Sequence, residues 1–164
     1  EAGGYQGDFA LHINRYFPDR KLYLFDTFEG FSSRDLQHEE SGMQSSAGRY
    51  GNTSETLVLA KMDHPDNCII KKGLFPDTAS GIDDTFCFVN LDMDLYSPTL
   101  SGLEFFSKRL EKGGLILVHD YFCSTFAGIK KAVSEWLEAN PEFVCIPIGD
   151  GSSVAVTSCM NMKG

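Results

Sequence analysis

The sequence predicts an α/β fold with a mostly parallel sheet that ends in an antiparallel hairpin. Strand-like and helix-like segments alternate along the 164 residues, as they do where helices connect parallel strands. The apolar runs TFCFVNLD and LILVHD have the composition of strands that are buried on both faces. Near the end of the chain, Gly149-Asp150-Gly151 separates two β-rich stretches, which indicates a hairpin turn.

The glycine-rich start, EAGGYQG, leads into the first predicted helix. Phe9, Ile13 and Phe17 recur at i, i+4 and i+8, so one apolar face follows the helical period. Pro18 comes next and cannot continue a helix. We therefore expect a helix over about residues 8–16.

The following segments predict a strand, a loop, a short helix and a second strand. KLYLFD, residues 21–26, ends in an acid. Residues 32–52 are polar and rich in serine and glycine, which predicts a long loop that is either a lid or disordered. Thr53 or Ser54 then caps a short helix, and NCIIKKG predicts a strand with a glycine just beyond it.

The second half contains the two most apolar strands, TFCFVNLD and LILVHD. Between them, Ser97 as N-cap and Pro98 in the first turn begin a helix that Gly113 and Gly114 end. Its apolar positions form one stripe: Leu100, Leu103, Phe106 and Leu110. The last helix ends at Asn140-Pro141 and carries a second stripe: Ile129, Val133, Trp136 and Leu137. One domain over residues 1–164 accounts for all these segments.

The composition excludes several kinds of partner. The chain has 14 Lys and Arg residues against 23 Asp and Glu, a net charge of −9, so we expect no nucleic-acid surface. No apolar run approaches the ~20 residues of a membrane span, and no signal peptide is present. The five cysteines form no CxxC pair, which predicts free thiols in a reducing cytoplasm. Such an acidic protein tolerates a cationic ligand or a metal ion.

In open α/β sheets, ligands bind at the carboxyl ends of the strands. In this sequence these positions carry glycines and acids: the glycine loop over residues 3–7, Asp26, Gly73, Asp92, and His119 with Asp120. We therefore expect the functional site to lie among them.

The glycine loop and Asp26 together indicate a nucleoside-containing cofactor. Gly3, Gly4 and Gly7 allow a tight turn and a close approach of the backbone to a ligand. Asp26 follows Gly3 by 23 residues, at the end of the next strand. This is close to the ~20-residue offset at which an acid binds ribose hydroxyls. The alternative is an ordinary turn into a helix, with Asp26 as a cap.

Asp92 and Asp94 follow the central strand, and His119 and Asp120 follow the next one. Residues i and i+2 of a strand point to the same side, so Asp92 and Asp94 could share a face. Converging carboxylates repel each other and require either a shared proton or a cation. A divalent ion held by Asp92, Asp120 and His119 meets this need, with oxygen ligands favouring Mg²⁺ and a histidine shifting the preference towards Mn²⁺. The alternative is that Asp94 caps the next helix and His119 is a core residue.

With these motifs placed, the sequence resembles the macrocin O-methyltransferase family. The matching stretches follow one another in order along nearly the whole chain: GGYQGDFA, LYLFDTFEGF, KKGLFPDT, VNLDMDLYSPTL and GGLILVHDY. The resemblance implies a class I methyltransferase sheet, whose first strand would come just before Glu1, so we expect an N-terminally truncated fragment. It further implies methylation of a small-molecule hydroxyl, often on a sugar of a natural product, using S-adenosylmethionine and Mg²⁺.

Carried over by position, the resemblance assigns site residues. The methionine part of the cofactor would lie against Gly3, Gly4, Tyr5 and Gly7. The ribose and adenine would lie near Asp26, Thr27, Phe28, Glu29 and Gly30, with Ser54 and Gly73 completing the cofactor site. Asp92 and His119 would be catalytic, and Asp92, His119 and Asp120 would bind the metal. The family's characterised antibiotic enzymes carry two adjacent aspartates where this chain has His119 and Asp120.

Two other interpretations remain open at the level of sequence. DMDLY resembles the DxDx[TV] nucleophile motif of haloacid dehalogenase-type phosphatases, but it follows three earlier segments, and Tyr96 replaces the Thr or Val. The chain could also be a non-catalytic domain that binds cofactor weakly. The acceptor is not determined, and a homo-oligomer remains open.

Overall fold

The computed structural model describes residues 1–39 and 46–159. Within these residues, six strands form the centre of the fold: β1 (Leu22–Asp26), β2 (Cys68–Lys72), β3 (Phe86–Leu91), β4 (Leu110–Val118), β5 (Phe143–Pro147) and β6 (Val154–Ser158). The same part of the chain contains five α-helices: α1 (Asp8–Tyr16), α2 (Ser33–Leu36), α3 (Glu55–Leu59), α4 (Tyr96–Ser107) and α5 (Ala127–Ala139). Short 3₁₀ turns occur at Pro65–Asn67, Asp77–Ala79 and Ser124–Phe126.

The strands confirm the predicted α/β class. β1 and β2 are parallel, as are β3 and β4, whereas β6 runs antiparallel to both β4 and β5. Ala2 forms parallel bridges to Phe25 of β1 and Leu91 of β3, so the first residues lie between these two strands. The spatial order is therefore β2, β1, residues 1–3, β3, β4, β6, β5.

Side chains alternate between the two faces of the sheet and pack against helices on both. On one face, the ring of Phe106 in α4 meets those of Phe25 and Phe75, with centroids 5.4–5.9 Å apart, in a cluster that also contains buried residues of α5. On the other face, Leu22 and Leu24 pack with residues of α1 and α3. Burial of such apolar surface is the main favourable term in folding. In the described parts of the chain, every helix is too short or too polar to span a bilayer.

Most element predictions are confirmed, and α1 has the expected bounds. The prediction for α4 is wrong at both ends. Its N-cap is Leu95, and the free N–H of Tyr96 donates to Oε1 of Glu39 at 2.5 Å, so Ser97 is not the cap. The helix ends at Ser107, and Leu110 already lies in β4.

Gly113 and Gly114 do not end a helix because they belong to an irregular part of β4. The β3–β4 register shifts between Phe86 and Phe88, and Gly113 has a φ of +78°. A Cβ on Gly114 would lie 2.9 Å from the carbonyl oxygen of Cys87. The glycines therefore permit a bulge and a close approach of two strands.

The polar stretch 32–52 is not one continuous loop. Ser32 caps α2, its side chain accepting from the N–H of Asp35. Further along, residues 46–50 turn back towards Phe31. The N–H of Phe31 donates to the carbonyl oxygen of Arg49 at 3.1 Å, and the N–H of Gly48 donates to the carbonyl oxygen of Phe31 at 3.0 Å. The central part of the predicted loop, residues 40–45, lies outside the described residues.

Candidate functional site

A cavity of about 280 Å³ opens at the carboxyl ends of the strands. Residues at or just beyond the carboxyl ends of β1, β2, β3 and β4 line it, namely Asp26, Gly73, Asp92 and His119, together with Gly3 of the glycine loop. Parallel strands bring their carboxyl ends to one edge of a sheet, which is where open α/β folds bind ligands. The strand ends identified in the sequence are therefore together in space.

Gly3 is in direct backbone contact with the segment after β3. It has a φ of +83°, and a Cβ built on it would lie 1.8 Å from the carbonyl oxygen of Asp92. Its N–H donates to the carbonyl oxygen of Phe25 at 2.9 Å. Only glycine fits this position, and the glycine loop thereby crosses the sheet edge between Asp26 and Asp92.

Asp26 is held by backbone groups on both of its oxygens. Oδ2 accepts from the N–H of Tyr5 at 2.9 Å, and Oδ1 accepts from the N–H of Phe28 at 2.7 Å. Burial raises the pKa of Asp26 above its usual range, and these N–H groups oppose that effect. Each carboxylate oxygen can accept a second hydrogen bond. Asp26 is therefore a turn cap that retains the capacity to bind hydroxyls.

The predicted cofactor residues fall into two groups. Six line the cavity: Gly3, Tyr5, Asp26, Thr27, Gly30 and Gly73. Five others are not among the lining residues: Gly4, Gly7, Phe28, Glu29 and Ser54. Gly7 is the N-cap of α1, Phe28 packs in the core beside α1, and Glu29 is exposed. Gly4 lines an adjoining groove on the side of α1.

Ser54 caps α3, its side chain accepting from the N–H of Leu57 at 3.1 Å. We expect Ser54→Ala to lower the free energy of unfolding by about 1 kcal/mol, the usual cost of a lost N-cap, measured by urea denaturation. Affinity for S-adenosylmethionine should not change, and Ser54→Thr, which keeps the cap, should retain stability. Weaker cofactor binding without loss of stability would instead place Ser54 in the cofactor site.

Asp92, His119 and Asp120 meet at one end of the cavity. One ligand atom from each lies within 4.8 Å of the others. Nδ1 of His119 is 3.2 Å from Oδ1 of Asp92 and 3.4 Å from Oδ1 of Asp120. Two oxygens and one imidazole nitrogen at this separation are a donor set suited to Mn²⁺ or Mg²⁺.

His119 supplies the test of whether the cluster fits a cation. Its Nδ1 is buried and has no hydrogen-bond partner of good geometry among the described residues, although it lies between two carboxylates. The approach of Asp92 raises the pKa of His119 to about 9, against the opposing effect of burial. The site therefore favours a positive charge at this point, and the orphaned nitrogen fits a metal ligand. A proton and a metal ion compete for this nitrogen.

Asp94 lines the same cavity as Asp92, but for a different reason from the one predicted. β3 ends at Leu91, so strand alternation does not extend to Asp94, which has a φ of +60°. α4 has no side-chain cap at Leu95, so Asp94 does not cap it. Burial, followed by the charges of Asp92 and Asp120, raises the pKa of Asp94 to about 8. Burial and the neighbouring carboxylates thus favour the uncharged form of the Asp94 carboxyl group.

One wall of the cavity was not assigned from the sequence. Phe31, Ser32, Asp35 and Tyr50 line it, and Tyr50 makes edge contacts with Phe31 and Tyr5, each with centroids 5.3 Å apart. The sequence feature that could have indicated this wall is the presence of two aromatic residues, Phe31 and Tyr50, near the two ends of the polar stretch 32–52. Such rings often form the walls of small-molecule sites.

The parallel strands, the glycine loop across their ends and the acid after β1 define a Rossmann-like, class I methyltransferase fold. Solved structures with the same fold are similar to this chain. The O-methyltransferase NovP has a TM-score of 0.73 at 24% identity, covering 91% of this chain and 65% of its own. Calicheamicin methyltransferase CalS11 has a TM-score of 0.69 at 19% identity, covering 93% and 66%. A Methanococcus jannaschii fibrillarin, a pre-rRNA processing protein, has a TM-score of 0.55 at 15% identity, covering 96% and 64%.

The chain belongs to the macrocin O-methyltransferase family, whose model matches residues 10–146. The resemblance noted in the sequence is thereby confirmed. The chain spans just under two thirds of NovP and of CalS11. A comparison with curated proteins found no match.

Proposed function

We propose that the protein transfers a methyl group from S-adenosylmethionine to a hydroxyl of a small molecule, with help from a divalent metal ion. One observation carries the proposal: Asp92, His119 and Asp120 converge at the end of a cavity that Gly3 and Asp26 also line. Under this proposal, the cluster that would bind the metal and accept a proton lies next to the residues that would bind the nucleoside. Membership of the macrocin O-methyltransferase family supports the same reaction.

The cofactor would lie across the glycine loop. A groove of about 380 Å³ on the α1 side shares Gly3, Tyr5, Asp92 and His119 with the main cavity. The nucleoside would occupy the main cavity, with its ribose hydroxyls at Asp26, and the methionine part would pass over Gly3 into this groove. The sulfonium would then lie close to Asp92, where the transferred methyl group is needed.

Methyl transfer from a sulfonium is an in-line displacement, so the protein's main task is to position the two reactants. The acceptor oxygen attacks the methyl carbon, the carbon–sulfur bond breaks, and the sulfur keeps the electron pair. Asp92 would accept the proton that the acceptor hydroxyl loses. Bound at Asp92, His119 and Asp120, a divalent ion would supply polarisation of that hydroxyl. The aromatic wall at Phe31 and Tyr50 would exclude water.

A sugar hydroxyl is the acceptor we propose. CalS11, whose fold this chain shares, is described as a TDP-rhamnose 3'-O-methyltransferase. The acidic balance of the chain, −9 overall, does not favour a nucleic-acid acceptor. TDP-rhamnose and methyl α-rhamnoside are therefore suitable first acceptors, one nucleotide-linked and one neutral. We place the protein in the cytoplasm, in keeping with its five free cysteines.

Calorimetric titration tests the cofactor and the metal separately. We expect S-adenosylmethionine and S-adenosylhomocysteine both to bind the EDTA-treated protein, because the nucleoside contacts do not involve the metal. Adding Mg²⁺ or Mn²⁺ should produce an additional binding event and restore methyl transfer to the rhamnose acceptors. If neither S-adenosylmethionine nor S-adenosylhomocysteine binds, the non-catalytic interpretation is favoured. Full activity in the EDTA-treated protein would show that the acidic cluster needs no metal.

A further inference from the structure

The connection between β5 and β6 reaches the acidic cluster from the far edge of the sheet. The hydroxyl Oγ of Ser152 donates to Oδ1 of Asp120 at 2.9 Å. The carbonyl oxygen of Ser152 also accepts from the N–H of Phe122 at 3.2 Å. Two contacts therefore join this connection to the segment that follows β4.

Ser152 is itself held in place by a turn. Oδ1 of Asp150 accepts from the N–H groups of Ser152 and Ser153, at 2.9 and 2.7 Å. Hydrogen bonds from Ser153 and Ser152 lower the pKa of Asp150 to about 2, because they stabilise its charged carboxylate. Ser153 is buried, with 1% of its surface exposed. The Ser152 hydroxyl is thus presented from a backbone that is fixed on both sides.

Asp120 needs such a partner because its own backbone does not restrict its carboxylate. It lies just beyond β4 with a φ of +56°, and the N–H of Cys123 donates to its carbonyl oxygen at 3.0 Å. These features fix its main chain but leave the side-chain torsions free. Oδ1 of Asp120 is also the oxygen that faces Nδ1 of His119. A hydrogen bond to Oδ1 selects one orientation of the carboxylate, and the second lone pair of Oδ1 and the oxygen Oδ2 can still bind a cation.

We infer that Ser152 is a positioning residue that orients Asp120 for metal binding. The inference rests on the metal role in the proposed function. Groups that hydrogen-bond to metal ligands orient them, and losing one typically weakens metal binding by ~10–100-fold. The serine is 32 residues away from Asp120 in sequence, in a hairpin that contributes no ligand to the cluster.

The inference is tested with Mn²⁺ alone, without cofactor or acceptor, by following the electron paramagnetic resonance signal of free Mn²⁺ during titration of the full chain. We expect Ser152→Ala to raise the Mn²⁺ dissociation constant by ~10-fold. Ser152→Thr, which retains the hydroxyl, should restore wild-type affinity. Ser134→Ala is the matched control, because that hydroxyl also makes one hydrogen bond, to the carbonyl oxygen of Lys130 on α5, and should change nothing.

A second variant covers the case in which Ser152→Ala does not fold, as judged by circular dichroism. Asp150→Ala leaves the Ser152 hydroxyl in place but removes the acceptor that fixes it, and it should also weaken Mn²⁺ binding. Wild-type Mn²⁺ affinity in a folded Ser152→Ala or Asp150→Ala protein would overturn the positioning role. If the wild-type chain binds no Mn²⁺, the metal part of the proposed function fails and the inference with it. The cofactor part of the proposed function is tested separately, by calorimetry, and does not depend on this result.

Discussion

Asp92→Asn is expected to reduce methyl transfer by about 10³-fold, within the range for removal of a general base. The amide has the shape of the carboxylate but cannot accept the acceptor's proton at neutral pH, and it is a weaker metal ligand. Cofactor affinity should be nearly unchanged, because the nucleoside contacts that we propose lie at Asp26 and Gly3. The measurement is release of S-adenosylhomocysteine with the acceptors named above, together with calorimetric binding of S-adenosylmethionine.

Asp83→Asn provides the matched control for this variant. Asp83 is exposed in the segment before β3, so the same chemical change there should leave both turnover and cofactor binding intact. Unchanged turnover in Asp92→Asn would rule out the metal and proton-accepting roles. Loss of cofactor binding along with turnover would show that Asp92 acts on the cofactor instead.

Gly3→Ala is expected to have the largest effect on stability of any glycine substitution in the site. The new Cβ would lie 1.8 Å from the carbonyl oxygen of Asp92, and that atom belongs to the backbone and cannot rotate away. The glycine loop or the segment after β3 must therefore move. We expect a loss of more than about 4 kcal/mol, the upper range for point substitutions, with loss of cofactor binding, measured by urea unfolding and calorimetry.

Gly113→Ala separates the steric clash from the backbone strain. Gly113 has a φ of +78°, close to the +83° of Gly3, but a Cβ there would meet nothing within 4 Å. Its substitution should cost only the ~1–2 kcal/mol of a left-handed alanine. Equal losses for Gly3→Ala and Gly113→Ala would show that the contact between the glycine loop and Asp92 is not the source of the destabilisation.

Local patterns in the sequence were sufficient to predict the bounds of elements whose ends are determined by nearby residues. α1 is an example, since a glycine precedes it and Pro18 follows it closely. α4 is the counterexample, because the acceptor for its first free N–H is Glu39, 57 residues earlier in the chain. No property of the residues around Ser97 reveals such a partner. The glycines in β4 were misread for the same reason, since their role depends on the opposite strand at Cys87.

The acidic cluster was predictable because parallel strands bring their ends to one edge. That topological rule places Asp92 close to His119 and Asp120 without any knowledge of their side-chain conformations. It says nothing of Asp94, whose conformation after the strand depends on the turn into α4, and whose protonation depends on burial. Nor does it identify the aromatic wall at Tyr50, which reaches the cavity from a different part of the chain.

Periodicity and strand-end position are local properties, and they were enough to predict the α/β class, the order of the elements and the residues at the strand ends. The folded chain was needed to show which of those residues share a cavity, that Nδ1 of His119 lies between two carboxylates, and that Ser152 contacts Asp120. Burial, pKa and side-chain orientation depend on contacts between residues far apart in the chain. Asp120 and Ser152 are brought together by the pairing of β4 with β6, and no short sequence pattern encodes that pairing.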